Sequence, residues 1–361
     1  MRRGNSHKMI KNMIDYLSKY QRLMSILAAR YTWNNRLVRT INLIILMFSY
    51  LHFLGYTQDY HFSQFYATPL HLSPSFAGST FGTRLVANYR DQWPEIPNAF
   101  TTYSFSVDHN FSDFNSGIGL MLLRDERGEL NISSNLLGLV YSYDVTIKRR
   151  IHFRPGLCFS YSFSGMDASR AVTRDMLQLN TSTPLQSINR ENFGFFDASV
   201  STLFYNDMFW LGSTVEHLMR PNAAFGVKDR IPLNYRIYTG VKLGTQGRLL
   251  KPPEENLTIA FHFMKMAKFS QLEAGLMGFK KKINLGVWYR GLPFLKENPG
   301  SDALIVTVGV VLKNFNAGFS HDFTISGLRN HSNGANEIFI SYLIPQGHPP
   351  KKHVQIPCPV F

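Results

Sequence analysis

The sequence predicts an all-β protein: a transmembrane antiparallel outer-membrane β-barrel of about fourteen strands, preceded by an N-terminal export signal. Three observations predict it. Apolar residues make up 44% of the chain and charged residues only 17%, against about 25% in an average soluble domain, while 29 Phe, 17 Tyr and 4 Trp bring aromatics to 14%. Such a composition excludes disorder and coiled coil. After residue 57 no run approaches the roughly 20 apolar residues that a helical span needs. In place of such runs, apolar side chains alternate with polar or small ones in short stretches separated by Gly, Asn, Asp, Pro and Lys, the pattern of strands and turns.

The first element is the export signal, residues 1–57. Arg36 and Arg39 precede a mostly apolar run from Ile41 to Leu54, the length of a secretory core and short for a bilayer span. Cleavage is expected near Thr57 or Gln58, with an uncleaved anchor as the alternative. Forty residues before the run is long for such a signal and implies a start set too far upstream. This segment holds nine Lys/Arg and one acid, Asp15, so +8 of the net +14 belongs to it. The remaining +6 is spread thinly with no basic run, which argues against nucleic acid as a partner.

The strands follow in fourteen stretches: 83–92, 99–110, 116–125, 131–145, 150–163, 194–205, 207–216, 232–244, 256–266, 269–278, 282–291, 302–312, 315–325 and 335–344. Period-two alternation sends Tyr103, Phe105 and Val107 to one face and Thr102, Ser104, Ser106 and Asp108 to the other. Ile338, Ile340, Tyr342 and Ile344 likewise oppose Glu337 and Ser341. An even strand number suits a closed barrel, and longer connections alternate with tight turns, as external loops do with periplasmic turns. The proline-containing 245–255 connection breaks that rule. Glycines inside strands (Gly119, Gly138, Gly156, Gly240, Gly275, Gly286, Gly318) and aromatics expected in girdles (Tyr103, Phe105, Trp210, Tyr235, Tyr289, Tyr342) favour the membrane over a soluble β-sandwich. The domain reading is therefore 1–57 export signal, 58–81 a segment before the first strand, 82–345 barrel, and 346–361 a periplasmic tail.

Motifs of catalysis are missing: there is no H-E-x-x-H, G-x-S-x-G, G-x-x-x-x-G-K-[ST] or C-x-x-C. Cys158 and Cys358 are 200 positions apart and suggest no metal site. The histidines fall at unrelated positions, and the Asp125–Gly128 turn offers too few oxygens for calcium. Catalytic, cofactor-binding and metal residues are accordingly expected to be none. Arg84, Asn88 and Arg90 share one face of the first strand. A charge facing lipid at mid-bilayer costs about 2–4 kcal/mol, so Arg84 and Arg90 are expected in the lumen. There they would line a pore or pair with lumenal acids such as Asp108 and Glu337, and pairing is the preferred reading.

Three passages resemble a known pattern: Gln58-Asp59-Tyr60-His61-Phe62-Ser63-Gln64-Phe65 with Pro69, then Ser73-Pro74-Ser75-Phe76-Ala77-Gly78-Ser79, then Tyr89-Arg90-Asp91-Gln92-Trp93-Pro94. Further matches are Phe196-Asp197, Gly212, His217-Leu218, Pro221, Trp288-Tyr289-Arg290-Gly291, the stretch Gly318–Leu328 with His321-Asp322, and Gly334-Ala335-Asn336-Glu337-Ile338, with Cys358-Pro359 in the tail. The chain thus resembles the PorP/SprF family of the type IX secretion and gliding-motility machinery of Bacteroidetes. It departs from that pattern at Tyr60, Ser73, His321 and Asn336. The resemblance implies an outer-membrane barrel without catalytic activity. Its partners would be other type IX secretion components, a secreted adhesin or C-terminal signal domain, and the lipid bilayer. The function expected is protein–protein contact that exports, shuttles or anchors secreted surface proteins. A porin or hydrophobic-solute channel is the alternative.

Two regions are candidates for partner docking. Within 58–81, read as a plug or a periplasmic docking element, these are His61, Phe62, Ser63, Gln64, Phe65, Pro74, Phe76 and Gly78. The second is the 164–193 connection, whose Met176, Leu177 and Leu179 supply apolar anchors among arginines, in a loop far longer than the two to five residues of a hairpin. Placing the N-terminus in the periplasm puts the 164–193, 217–231, 292–301 and 326–334 connections outside the cell. Inward aromatics such as Trp288 and Phe339 would help to fill the lumen.

Overall fold

In the computed structural model the described residues are 59–128, 130, 132–148, 150–166, 192–222, 230–244, 255–292, 302–325, 333–347 and 356. Its strands are β1 (Thr83–Gln92), β2 (Phe100–Phe111), β3 (Ser116–Arg127), β4 (Ile132–Tyr143), β5 (Val145–Lys148), β6 (Ile151–Gly165), β7 (Asn192–Tyr205) and β8 (Phe209–Glu216). They continue as β9 (Asn234–Gly244), β10 (Glu255–Met266), β11 (Phe269–Lys280), β12 (Ile283–Gly291), β13 (Ala303–Val311), β14 (Phe315–Thr324) and β15 (Ala335–Ile344). Each strand pairs antiparallel with its sequence neighbours. β1 also pairs with β15, from Thr83 opposite Ile344 to Gln92 opposite Ala335, and this pairing closes the ring. Among the described residues no helix is long and apolar enough to cross a membrane. Closure leaves no edge whose backbone groups would face hydrocarbon unpaired.

The fourth expected stretch is divided. β5 continues β4 after a break at Asp144 and pairs only with β6, while β4 itself pairs with β6 from Ser133 opposite Gly165 to Ser142 opposite Gly156. The closed ring therefore has fourteen strands. At the break the Asp144 carboxylate meets the His152 ring at 2.9 Å, Arg154 at 3.3 Å and the Tyr205 hydroxyl at 2.5 Å. Its own N–H bonds to the Asn115 carbonyl, in register with Tyr143 opposite Ser116.

Alternation sorts side chains as the physics of a lipid-embedded wall requires. Leu285, Val287, Val306, Val308, Phe319, Ile338 and Ile340 are exposed on the outer face, while Thr307, Ser320, Glu337 and Ser341 are buried within. Trp210 corrects the girdle expectation. It is fully buried and points inward, because β8 places it on the side of Gly212 and Thr214, directly opposite Gly240 of β9. A Cβ on Gly240 would collide with the Trp210 ring. Gly212 stands in the same relation to Tyr238, Gly275 to Trp288 and Gly318 to Phe339. Strand glycines here are recesses into which inward aromatic rings lie flat.

Candidate functional site

Inside the ring lies the stretch 59–81. Residues 59–61 are half-buried and 62–80 are buried throughout. It has three short turns of helix, Phe65–Ala67, Pro69–Leu72 and Pro74–Phe76. Proline at the first position of the latter two starts each turn without wasting a donor. The Ser73 side chain accepts the Ser75 N–H at 3.2 Å and so separates them.

The segment starts at the end of the ring that carries the longer connections. The Asp59 carboxylate bonds to His217 Nε2 at 2.9 Å and to the Asn234 amide at 3.0 Å, and His217 Nδ1 bonds to Asp197 at 2.6 Å. Arg236 closes the group by pairing with Glu216 at 2.8 Å. Burial opposes the charge on His217, but the carboxylates of Asp59 and Asp197 outweigh it and hold the ring's pKa up at about 11. Burial likewise disfavours ionised Asp59, yet His217, Arg236 and Asn234 hold its pKa down at about 2. Asp59, Glu216 and His217 have the spacing of a metal-ligand set. As the cluster stands, both ring nitrogens of His217 are engaged by carboxylates, Nε2 by Asp59 and Nδ1 by Asp197.

Four residues on, the barrel clamps the segment a second time. Glu337 accepts the backbone N–H of Ser63 at 2.6 Å and of Gln64 at 3.2 Å, as a capping carboxylate does at the start of a helix. The Ser63 hydroxyl donates to Asp322 at 2.6 Å and Gln64 donates to Ser320 at 3.1 Å. Arg90 pairs with Asp322 at 3.1 Å and Glu337 at 3.3 Å and also reaches the Ser63 hydroxyl, while Arg290 pairs with Asp322 at 2.7 Å. Taking these ions from water costs several kcal/mol each, which only their mutual pairing and hydrogen bonds offset.

Below the clamp the contacts turn aromatic. Phe65 meets Trp288 edge-on at 5.3 Å and His262 at 5.1 Å, and Tyr66 lies against Trp288 at 5.1 Å. Arg236 donates to the His71 carbonyl at 2.6 Å and Thr214 to that of Leu72 at 3.2 Å. The Ser75 N–H donates to Ser201 at 2.9 Å. At the short-turn end, Ser142 and Arg154 both donate to the Ala77 carbonyl, and Asp108 accepts the Gly78 N–H at 2.7 Å. Arg84 pairs with Asp108 at 2.9 Å and also donates to the Phe76 carbonyl. Gly78 has φ +60°, and a Cβ there would strike the Gly117 backbone. Ile356 is buried in the same lumenal apolar cluster as Leu203, Tyr205 and Tyr238, so at that residue the tail is inside the wall.

The structure thus places Arg84, Arg90, Asp108 and Glu337 in the lumen as two separate ion pairs, Arg84–Asp108 and Arg90–Glu337, each hydrogen-bonded to the segment. The docking candidates fall differently. Phe62, Ser63, Gln64, Phe65, Pro74, Phe76 and Gly78 are buried against the wall and His61 is half-buried. None of the seven presents a surface to a partner while the segment stays in place, because its mixed aromatic, Gly, Pro and Gln content is matched to the lumen. Met176, Leu177 and Leu179 lie outside the described residues. The sequence reading missed the joining of Asp59, Asp197 and His217, and of Ser63, Arg290 and Asp322. All six occur in the motif passages, which was the available signal, but their separations of up to 259 residues hide the contacts.

Solved structures similar in fold include Omp33 of Acinetobacter baumannii (6% identity, TM-score 0.42, covering 74% of this chain and 100% of that one). Another is a FadL homologue of Pseudomonas aeruginosa (11%, 0.40, 72% and 89%). A third is BamA of Haemophilus ducreyi lacking POTRA domains 1–3 (8%, 0.40, 73% and 70%). No curated protein matches. The model of the type IX secretion system membrane protein family PorP/SprF matches residues 54–342. That span takes in the lumen segment, both clamps and nearly the whole ring, and the chain belongs to the PorP/SprF family of outer-membrane β-barrels of the type IX secretion system.

Proposed function

We propose that this barrel is a closed, non-enzymatic anchor that helps to export, shuttle or hold secreted surface proteins through protein–protein contacts. The observation that carries the reading is the occupied lumen. Residues 62–80 are buried, ion pairs and backbone acceptors hold them along the segment, and the cavity beside Tyr60, Phe65 and His71 is about 20 Å³, room for roughly one water. A wall braced from within suits a rigid platform whose connections meet other secretion components, an adhesin or its C-terminal signal domain.

The test has two arms. Purified protein in planar bilayers is expected to give little steady conductance, and large stable channels would favour the porin or hydrophobic-solute reading. Shortening 166–189 to a tight turn is expected to leave heat-modifiable, inserted barrel while abolishing co-purification of the secreted partner from detergent. Undiminished capture by that variant would remove this connection from the docking surface.

A further inference from the structure

The lumen segment runs through the ring in one direction. Its upstream end meets the last residues of β8 and the first of β7, β9 and β15: Asp59 lies with Glu216, Asp197 and Asn234, and Ser63 with Glu337. All of these belong to the end of the ring where β6 and β7, β8 and β9, β12 and β13, and β14 and β15 are joined by the longer connections. Its downstream end meets the opposite rim, where the Gly82 carbonyl accepts the Asn110 N–H and β1 begins beside Ile344. The segment therefore crosses the barrel from the long-connection end to the short-turn end.

In an outer-membrane barrel the longer loops face the exterior and the short turns the periplasm. We infer that Asp59 stands at the cell-surface mouth, so that the N-terminal end of the lumen segment faces outside and not the periplasm. This differs from the periplasmic placement of residues 58–81 expected from sequence. A sideways exit is blocked by a hydrogen-bonded ladder that closes on itself. The His217–Asp59 pair fixes the point of emergence, next to the exposed Leu218 and Met219 at the root of the 217–231 connection. Resting on the anchor reading above, this places the N-terminal end of the lumen segment on the partner-facing side.

Surface labelling tests it. In a Cys158→Ala, Cys358→Ser background, single cysteines are introduced as Gln58→Cys, as Asn333→Cys at the long-connection end, and as Lys282→Cys at a short turn. Intact cells are treated with a membrane-impermeant maleimide, and only heat-modifiable, inserted protein is scored. The expected result is that Gln58→Cys labels to the level of Asn333→Cys, while Lys282→Cys labels only after permeabilisation. Labelling of Asn333→Cys on intact cells with Gln58→Cys silent until permeabilisation would overturn the threading. Labelling of Lys282→Cys with Asn333→Cys silent would overturn the assignment of the outer face. Should the cysteine variants fail to insert, a short epitope placed before Asp59 and detected by antibody on intact cells distinguishes the same two placements. Capture of the secreted partner by a barrel whose upstream end proves periplasmic would refute the threading and leave the anchor reading standing.

Discussion

The outer and inner faces of the same strands are built to different specifications. The outer face of β12 and β13 repeats Leu285, Val287, Val306 and Val308, side chains that need only be apolar because lipid imposes no shape and offers no partner. The inner face is particular at every level. Glu337 serves two N–H groups and an arginine, Gly275 makes room for Trp288, and Asp108 holds both Arg84 and the Gly78 N–H. Specificity in this barrel resides on the side away from the membrane, and the passages that carry the family resemblance fall largely on residues of that side or on the segment it encloses.

The sharpest way to break the contrast is to remove one inner charge. Glu337→Ala leaves two backbone N–H groups buried without their acceptor and takes from Arg90 one of its two carboxylate partners, and deleting one partner of a buried pair costs about 3–5 kcal/mol. A large fall in the temperature of the heat-modifiability transition is expected, together with protease sensitivity in the 59–64 stretch. An unchanged transition would show that the clamp does not brace the wall.

Next in size is an outer charge. Val306→Arg, near the middle of β13 and facing lipid, is expected to cost about 2–4 kcal/mol, whereas Val306→Leu should be nearly silent. Equal effects of the two variants in a refolding titration would contradict the orientation of β13. Filling a recess comes third. Gly318→Val drives a side chain into Phe339 and is expected to cost about 1–3 kcal/mol, partly restored by Phe339→Ala in the same chain. Additive loss in the double variant would separate the two residues.

The smallest expected effect is a pH dependence. The folded pKa of His217, about 11, lies above its ordinary 6.5, so its protonated form stabilises the fold. That contribution is complete below pH 6.5 and is lost as the pH rises towards 11. Asp59 has the opposite sign: its folded pKa, about 2, is below 3.8, so its contribution is present above 3.8 and lost as the pH falls towards 2. The transition temperature of the native chain, taken relative to His217→Gln, should therefore be highest between pH 4 and 6.5 and decline on both sides. A difference that stays flat from pH 2 to pH 11 would mean that the Asp59–His217 pair is unformed.

Much of this was legible from residue order. All fourteen predicted stretches are strands, because alternation is a local property that each stretch carries by itself. Arg84 and Arg90 point inward for the same reason. Trp210 was misplaced because an aromatic near a strand end looks the same whether it lies in a girdle or in a recess. The neighbour that decides, Gly240, sits thirty residues away on the next strand. Two of the four departures from the family pattern, His321 and Asn336, also gain meaning only in three dimensions: they are cross-strand partners joined by a 2.8 Å hydrogen bond.

The sequence by itself determined the fold class, the strand set and, Trp210 apart, the faces into which alternation divides each strand, since hydrophobic alternation at period two requires nothing beyond the stretch that bears it. Tertiary structure alone decided the course of residues 59–81. Their passage through the lumen depends on acceptors and donors up to 274 positions away, which closure of the ring brings to one height. Ser63 has no local feature that names Asp322 or Glu337. Only when β1 meets β15 does a polar interior exist in which a short run of Ser, Gln, Phe, Pro and Gly is the complementary filling.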